Sequence, residues 1–439
     1  MNPQTQVQTQ VQTQVQAAAK RTRTYSMYAL VGVSTAHLLN DAMQTVIPAG
    51  FPLFQQQMNL SFSQIGWVAF ALNVTASILQ PLIGYYTDKK PMPILLPAGM
   101  AFSLLGMIVL AYSTGMTALL LAVTAIGIGS SVLHPESSRV AHLAAGKGRG
   151  LAQSVFQVGG NTGQALAPLL VALILVPGGQ RGFLWLALFA VAGMAIQVGV
   201  SRWYRPRIRA EHQNRADSAK SGQKELAETG NVPGKVKSAV THAGAVTYAA
   251  PSRKTVAFVI GVLLVLLFSK FVYLAGMNGY YSFYYMERYR LPLEQAQVCL
   301  FILQFAGMLG TLLGGPLADK IGRKTVIWFS IFGTAPFALL LPYASPAVAM
   351  LLCVPIGMIL MSGFSVIIVY AQELLPGKVG TVAGLFFGLS FGMAGIGSVA
   401  LGWMADLTSV TLVTKFCAFL PLLGAVAYFL PKDRKFQPE

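Results

Sequence analysis

GPLADKIGRK, residues Gly315 to Lys324, sets an acid and three cations directly after one long apolar run and directly before another. Glycine lets a helix end pack closely, Asp319 can pair with cations or a helix terminus, and Lys320, Arg323 and Lys324 hold the segment in water. A worn version, GYYTDKK from Gly84, also follows an apolar run. It keeps Asp88, Lys89 and Lys90, but Pro-Met-Pro stands where the later copy continues into Gly322 and Arg323. GKGRGLAQSVFQVGG from Gly146 and GKVGTVAGLFFGLSFG from Gly377 repeat the correspondence at nearly the same offset. The chain is written twice.

Of its 439 residues, 54% are hydrophobic and 10% charged, with a mean hydropathy of +0.60. A soluble domain needs roughly 25% charged residues to face water. The apolar residues fall in blocks of about 20, enough to cross a ~30 Å hydrocarbon core at 1.5 Å per residue. Twelve blocks are expected, near 25–54, 61–86, 93–113, 116–141, 149–176, 181–204, 256–287, 293–319, 324–342, 346–372, 380–405 and 409–430. Blocks this long, without short alternating segments, are helices rather than barrel strands. The expectation is an all-α integral membrane protein, with twelve transmembrane helices in two six-helix pseudo-repeats. Residues 25–203 and 254–431 form the halves, 204–253 a polar linker, and 1–24 and 432–439 the tails.

The net charge of +17 reads as topology, not nucleic-acid binding. Most lysines and arginines fall on the side of the amino terminus, including Lys20, Arg21, Arg23, Lys147, Arg149 and the block Arg202 to Arg209. Arg181, Arg288 and Arg290 fall on the other. That asymmetry puts both termini in the cytoplasm. Cys299, Cys353 and Cys417 lie singly in apolar stretches and read as small buried hydrophobes. The Thr-Gln-Val-Gln repeats of the start cannot bury a core and lack the apolar centre of a signal peptide.

Gly315 to Lys324 resembles the G-x-L-A-D-[RK]-x-G-R-[RK] loop of the major facilitator superfamily, in which two six-span repeats surround a midplane site. The resemblance implies a gating role for Gly315, Asp319, Gly322 and Arg323, and a weaker one for Asp88. TAHLLNDAMQ (Thr35–Gln44), SSVLHPESSRV (Ser130–Val140), GLAQSVFQVGGN (Gly150–Asn161), YAQELLPG (Tyr370–Gly377) and CAFLPLLG (Cys417–Gly424) narrow it to the fosmidomycin-resistance exporters of bacteria. That likeness implies export of a phosphonate antibiotic by proton antiport.

The residues themselves point to a polar interior. His37, Asn40, Asp41 and Gln44 share one face of the first span, and His37 lies ~20 Å along it, near the midplane. An intramembrane acid beside a histidine relays protons or binds substrate; otherwise it is interhelical hydrogen-bond glue. In SSVLHPESSRV, Glu136 and Arg139 are spaced to pair, and Pro135 loosens the turn beside His134. Asp41, Glu136, His37 and His134 are the candidate proton carriers, with a register-fixing ion pair the rival for Glu136 and Arg139. Gln153, Gln157, Asn161 and Gln164 form a polar stripe, with Gly159 and Gly163 allowing close helix contact. Lys270, Tyr273, Met277, Tyr281 and Tyr284 share a sector of the seventh span, where a lysine ringed by hydroxyls could grip a phosphonate. Candidate substrate contacts are thus Arg139, Lys270, Tyr273, Tyr281, Gln157, Asn161, Asn40 and Gln304.

No His-Glu-x-x-His, Gly-x-Ser-x-Gly, phosphate-binding glycine loop or paired cysteines occur, which argues against an enzyme and against a metal or cofactor. The expected partners are a small anionic substrate, protons and the lipid bilayer, with the chain acting as a monomer. Proton-coupled uptake or voltage-driven uniport of an anionic metabolite is the alternative function.

Overall fold

In the computed structural model, residues 27–144, 149–228, 253–374 and 379–431 are described; the loop cations Lys147 and Lys378 lie outside them. These residues are helical throughout, without strands. The amino half contains α1 (residues 27–49), α2 (Phe51–Met58), α3 (Phe62–Lys89), α4 (Leu95–Tyr112), α5 (Met116–Ala144), α6 (Arg149–Leu170), the short α7 (Val176–Gly178) and α8 (Phe183–Glu228). The carboxyl half contains α9 (Arg253–Tyr289), α10 (Leu293–Ile321), α11 (Arg323–Phe332), α12 (Ala335–Leu340), α13 (Pro346–Met361), α14 (Phe364–Leu374), α15 (Val379–Leu407) and α16 (Val410–Phe419), which tightens into a 3₁₀ segment at Leu420–Phe429.

Ten helical segments among the described residues are long and apolar enough to cross a membrane. One of them, Ser154–Ile208, is 55 residues long, more than twice what a single crossing needs. A π turn at Val171–Leu175 and a 3₁₀ turn at Gly179–Gly182 break it, and Gly179 takes φ 59° where the chain reverses. Trp185, Leu351, Leu173 and Trp403 lie exposed on the outside, a surface that suits lipid rather than water. The polar linker differs from expectation in one respect: α8 stays helical to Glu228, carrying the first part of 204–253 onward from the bundle.

The halves meet along α3 and α15. A Cβ on Gly66 would lie 2.6 Å from the Ser398 carbonyl, and one on Gly402 would strike the Phe62 carbonyl. Only glycine lets these backbones touch. Midway along the seam, Ser77 Oγ donates to the Gly388 carbonyl (2.5 Å). A second seam joins α6 to α10, where Thr162 Oγ1 lies 3.3 Å from Met308 Sδ.

The GPLADKIGRK loop assigns its glycines differently from the simple reading. A Cβ on Gly315 would meet open space, whereas one on Gly314 would strike the Ser362 carbonyl. Close packing therefore falls one residue earlier. Gly322 takes φ 92° and donates its N–H to Ala318 O (3.0 Å), ending α10 in a conformation that L side chains rarely adopt. Arg323 opens α11 directly afterwards. Asp319 is exposed, with no cation within 4.0 Å among the described residues. The side chain of its counterpart Asp88 lies outside the described set.

Candidate functional site

α1, α5 and α6 bring His37, Asp41 and His134 together. His37 Nε2 lies 3.4 Å from Asp41 Oδ2 and His134 Nε2 3.7 Å from Asp41 Oδ1. Asn40 and Gln164 donate to the same carboxylate at 3.1 and 2.9 Å. The i, i+3, i+4 spacing on α1 sets His37, Asn40 and Asp41 on one face, and Gln164 arrives from the facing helix α6. Gly160 makes this possible, because a Cβ there would overlap the His37 ring and approach Asp41 Oδ2 to 2.9 Å. Gly159 and Gly163 admit the α1 backbone at Ser34 and Leu38 in the same way.

Hydrogen-bond chemistry fixes the ring orientations. His37 Nδ1 lies 2.9 Å from the Phe156 carbonyl, and His134 Nδ1 lies 3.1 Å from the Ser130 carbonyl. A carbonyl only accepts, so each Nδ1 carries hydrogen. Each Nε2 of a neutral ring then turns a lone pair toward a carboxylate oxygen. Two acceptors face each other unless an additional proton sits between them, on the imidazole or on the acid. His37 Nε2 is buried and has no hydrogen-bond partner among the described residues, its nearest acidic contact being Asp41 Oδ2 at 3.4 Å. Phe156 stacks on His37 at 4.2 Å and holds the ring in place.

The cluster is closed on one side and open on the other. Side-chain exposure is 1% for His37, 4% for Asp41 and 19% for His134. The exposed face of His134 looks across the seam to Phe391, with ring centroids 6.4 Å apart. Gln80 Nε2 lies 3.5 Å from His134 Nδ1. Among the described residues, only His37, Asp41 and His134 form a group of three such residues whose donor atoms all lie within 4.8 Å of one another, close enough to share protons or to hold a cation.

Glu136 and Arg139 do not join this cluster. Arg139 Nη1 bonds Glu136 Oε1 at 2.9 Å and the Thr87 carbonyl at 3.0 Å, while Nη2 reaches Thr87 Oγ1 at 3.3 Å. The pair ties α5 to the last turn of α3, with Glu136 fully buried. Gln157 donates to Asn161 (3.3 Å) on α6, and Gln304 to Asn278 (2.8 Å) between α10 and α9. All four amides are half-buried or buried at the inter-half helices, and Asn278 is a member that sequence reasoning did not single out.

Lys270, Tyr273 and Tyr281 occupy a separate environment. Lys270 is fully buried, donates 2.5 Å to the Leu360 carbonyl at the end of α13, and has no carboxylate within 4.0 Å among the described residues. Tyr281 bonds Tyr285 and Cys353 at 2.9 and 3.0 Å, and Tyr273 is buried in the same half.

Asp406, another residue missed from sequence, spans the halves. From α15 its carboxylate accepts the Phe62 and Ser63 backbone N–H groups at 2.8 Å each, plus the Ser63 hydroxyl, capping α3. Gln297 on α10 adds a 2.7 Å bond to the Ala49 carbonyl at the end of α1, and Phe62 packs edge-on to Phe283 at 5.2 Å. These ties lie at the end of the bundle opposite the exit of α8.

A family profile described as Major Facilitator Superfamily matches residues 33–397. The chain is 46% identical over 419 residues to the "Fosmidomycin resistance protein" of Escherichia coli (strain K12), covering 95% of this chain and 96% of that one. It is 43% identical over 417 residues to the "Uncharacterized MFS-type transporter YfnC" of Bacillus subtilis (strain 168), covering 95% of each. Among solved structures, the partially occluded inward-open xylose transporter XylE from E. coli superposes with a TM-score of 0.68 at 16% identity, covering 93% of this chain and all of that one.

Proposed function

Because the chain belongs to the Major Facilitator Superfamily, as a multi-pass membrane transporter of small molecules, we propose that it exports small anionic compounds of the phosphonate class by alternating access. In this reading two six-helix halves rock about a site near the midplane. Twelve crossings are supported by counting Ser154–Ile208 as two spans and adding α1 to the remaining candidates. Both termini lie in the cytoplasm of the inner membrane, the α8 exit faces the cytoplasm, and the Asp406 end faces outward. The substrate class comes from the resistance relative and from the cation-capable groups at the seam.

The observation that carries the mechanism is the approach of buried His37 Nε2 to Asp41 Oδ2 at 3.4 Å. Asp41 and His37 hold the transported proton, and His134, the exposed member, exchanges it with the seam and meets the anion. Asn40, Gln157, Asn161 and Gln304 supply neutral donors around the substrate, and Arg139 keeps Glu136 from acting as a free acid. Lys270 stays outside the substrate path in this reading, its Nζ committed to the Leu360 carbonyl. In the outward-open state, proton entry at Asp41 resets the carrier after the anion leaves. Export of an anion from a cell that is negative inside is also favoured by voltage, ~2.3 kcal/mol per charge per 100 mV.

A second reading has its own support. A proton held beside His134 attracts an anion, so by reciprocity of linkage each ligand strengthens the other. That sign favours moving proton and anion together, as in uptake. The two readings separate in proteoliposomes loaded with fosmidomycin. Antiport gives proton entry during efflux, and cotransport gives proton exit. Transport of fosmidomycin that moves no protons at all would refute both.

A further inference from the structure

α8 leaves the bundle with Arg202, Arg205 and Arg207 on one turn and a half of helix, next to Trp203. Two cavities flank it at this level. One, of about 380 Å³, lies between α4 and α8 and is lined by Ile94, Pro97, Val198, Ser201, Arg202 and Arg205. The other, of about 620 Å³, lies between α1 and α8, with Tyr28, Gly32, Gly199, Trp203, Arg202 and Arg207 in its wall. Arg202 belongs to both. Each cavity therefore has an apolar body within the span and a pair of guanidiniums at its mouth.

Two further observations mark the larger cavity as built for an occupant. Gly199 has open space where its Cβ would project, so a side chain there would fill the groove. Arg207 is held in place, its Nη1 donating to the Trp203 carbonyl at 2.9 Å with the guanidinium carbon 4.1 Å above the indole ring. No carboxylate lies within 4.0 Å of Arg202, Arg205 or Arg207 among the described residues. Arginines above apolar clefts, without a neutralising carboxylate among the described residues, suit an amphiphile with an anionic head.

We propose that the α1–α8–α4 face is a seat for an acidic phospholipid carrying two phosphates, of the diphosphatidylglycerol type. One phosphate sits between Arg202 and Arg205, and the other between Arg202 and Arg207, whose guanidinium the Trp203 ring holds. The acyl chains lie in the two clefts. The inference rests on the membrane placement of the chain and not on the substrate or coupling reading. Its functional reach comes through α1, because Gly32 in the lipid groove precedes His37 by little more than one helical turn.

The test is native mass spectrometry of the full-length protein, released from micelles containing equal amounts of phosphatidylethanolamine, phosphatidylglycerol and diphosphatidylglycerol. Wild type is expected to retain diphosphatidylglycerol in preference to the other two. Arg202→Gln, Arg205→Gln and Arg207→Gln should each reduce retention by about fivefold, while Arg181→Gln, at the opposite end, leaves it unchanged. Arg202→Lys and Trp203→Phe, which preserve bulk, keep the test readable if an arginine variant folds poorly. Trp203→Phe should lower retention and Arg202→Lys should keep part of it. Equal retention of phosphatidylglycerol by wild type, or unchanged diphosphatidylglycerol retention in the glutamine variants, overturns the proposal.

Discussion

Asp406 ties the carboxyl half to the first turn of α3, so its removal should favour the state in which the halves part at that end. The structure gives the size. Two backbone N–H groups at 2.8 Å and the Ser63 hydroxyl lose their acceptor, and the α3 terminus loses a carboxylate. Loss of an N-cap costs ~0.5–2 kcal/mol and a charge at a helix start is worth ~0.3–1 kcal/mol. Asp406 is exposed, so water re-satisfies part of this and screening trims the rest. A net of about 1.4 kcal/mol remains, a tenfold shift in the equilibrium. The readout is alkylation of Ser398→Cys, buried at the α3 contact, by a membrane-impermeant maleimide, with the three native cysteines replaced. Asp406→Ala should label about tenfold faster than the parent, and Asp406→Asn, which retains one acceptor, by an intermediate amount. Equal rates for all three would show that this contact does not hold the halves together. Slower labelling in Asp406→Ala would refute the direction of the argument.

Gly160→Ala should abolish transport while leaving detergent-extracted protein monodisperse, because its Cβ displaces the His37 ring from Asp41; normal flux would mean that the His37–Asp41 geometry is dispensable. Lys270→Met is expected to hold or raise the melting temperature, since a buried amine is exchanged for an apolar chain of similar length, and to change anion affinity less than about twofold. A tenfold affinity loss by isothermal titration would put Lys270 in the substrate path. Arg139→Gln should destabilise the protein by about 3–5 kcal/mol, the cost of breaking a buried ion pair, together with its ties to Thr87. Adding Glu136→Gln should recover most of it in a thermal melt, and no recovery would argue against the pair as a structural tie.

The membrane class and the family were legible because they rest on composition and on spacings within single segments. The α1 face was legible for the same reason: i, i+3 and i+4 put His37, Asn40 and Asp41 together whatever the tertiary structure. What joined them was not. His134 reaches Asp41 from α5, while Arg139, paired with Glu136, also reaches Thr87 on α3. The Glu136–Arg139 pair followed from its i, i+3 spacing, but the helix it ties and the cluster His134 joins are set by packing alone. Asp406 sits 344 residues from its partner Phe62, a contact no local pattern encodes. The Gly160 role was hidden between Gly159 and Gly163, whose i, i+4 spacing drew the simpler packing argument. At Gly315 the motif named the region correctly, but the Cβ geometry moves the close approach to Gly314.

The central claim is that Asp41 carries the proton that His37 geometry demands. The direct measurement is proton flux, read by an entrapped pH dye, during fosmidomycin movement through purified protein in liposomes, for wild type and Asp41→Asn with voltage clamped by potassium and valinomycin. The account predicts proton movement in fixed ratio to substrate in wild type. It predicts that Asp41→Asn loses the proton component while substrate still moves down its own gradient. Coupled proton flux persisting in Asp41→Asn, or wild-type transport that stops with a metal chelator and is restored by a divalent cation, would contradict it.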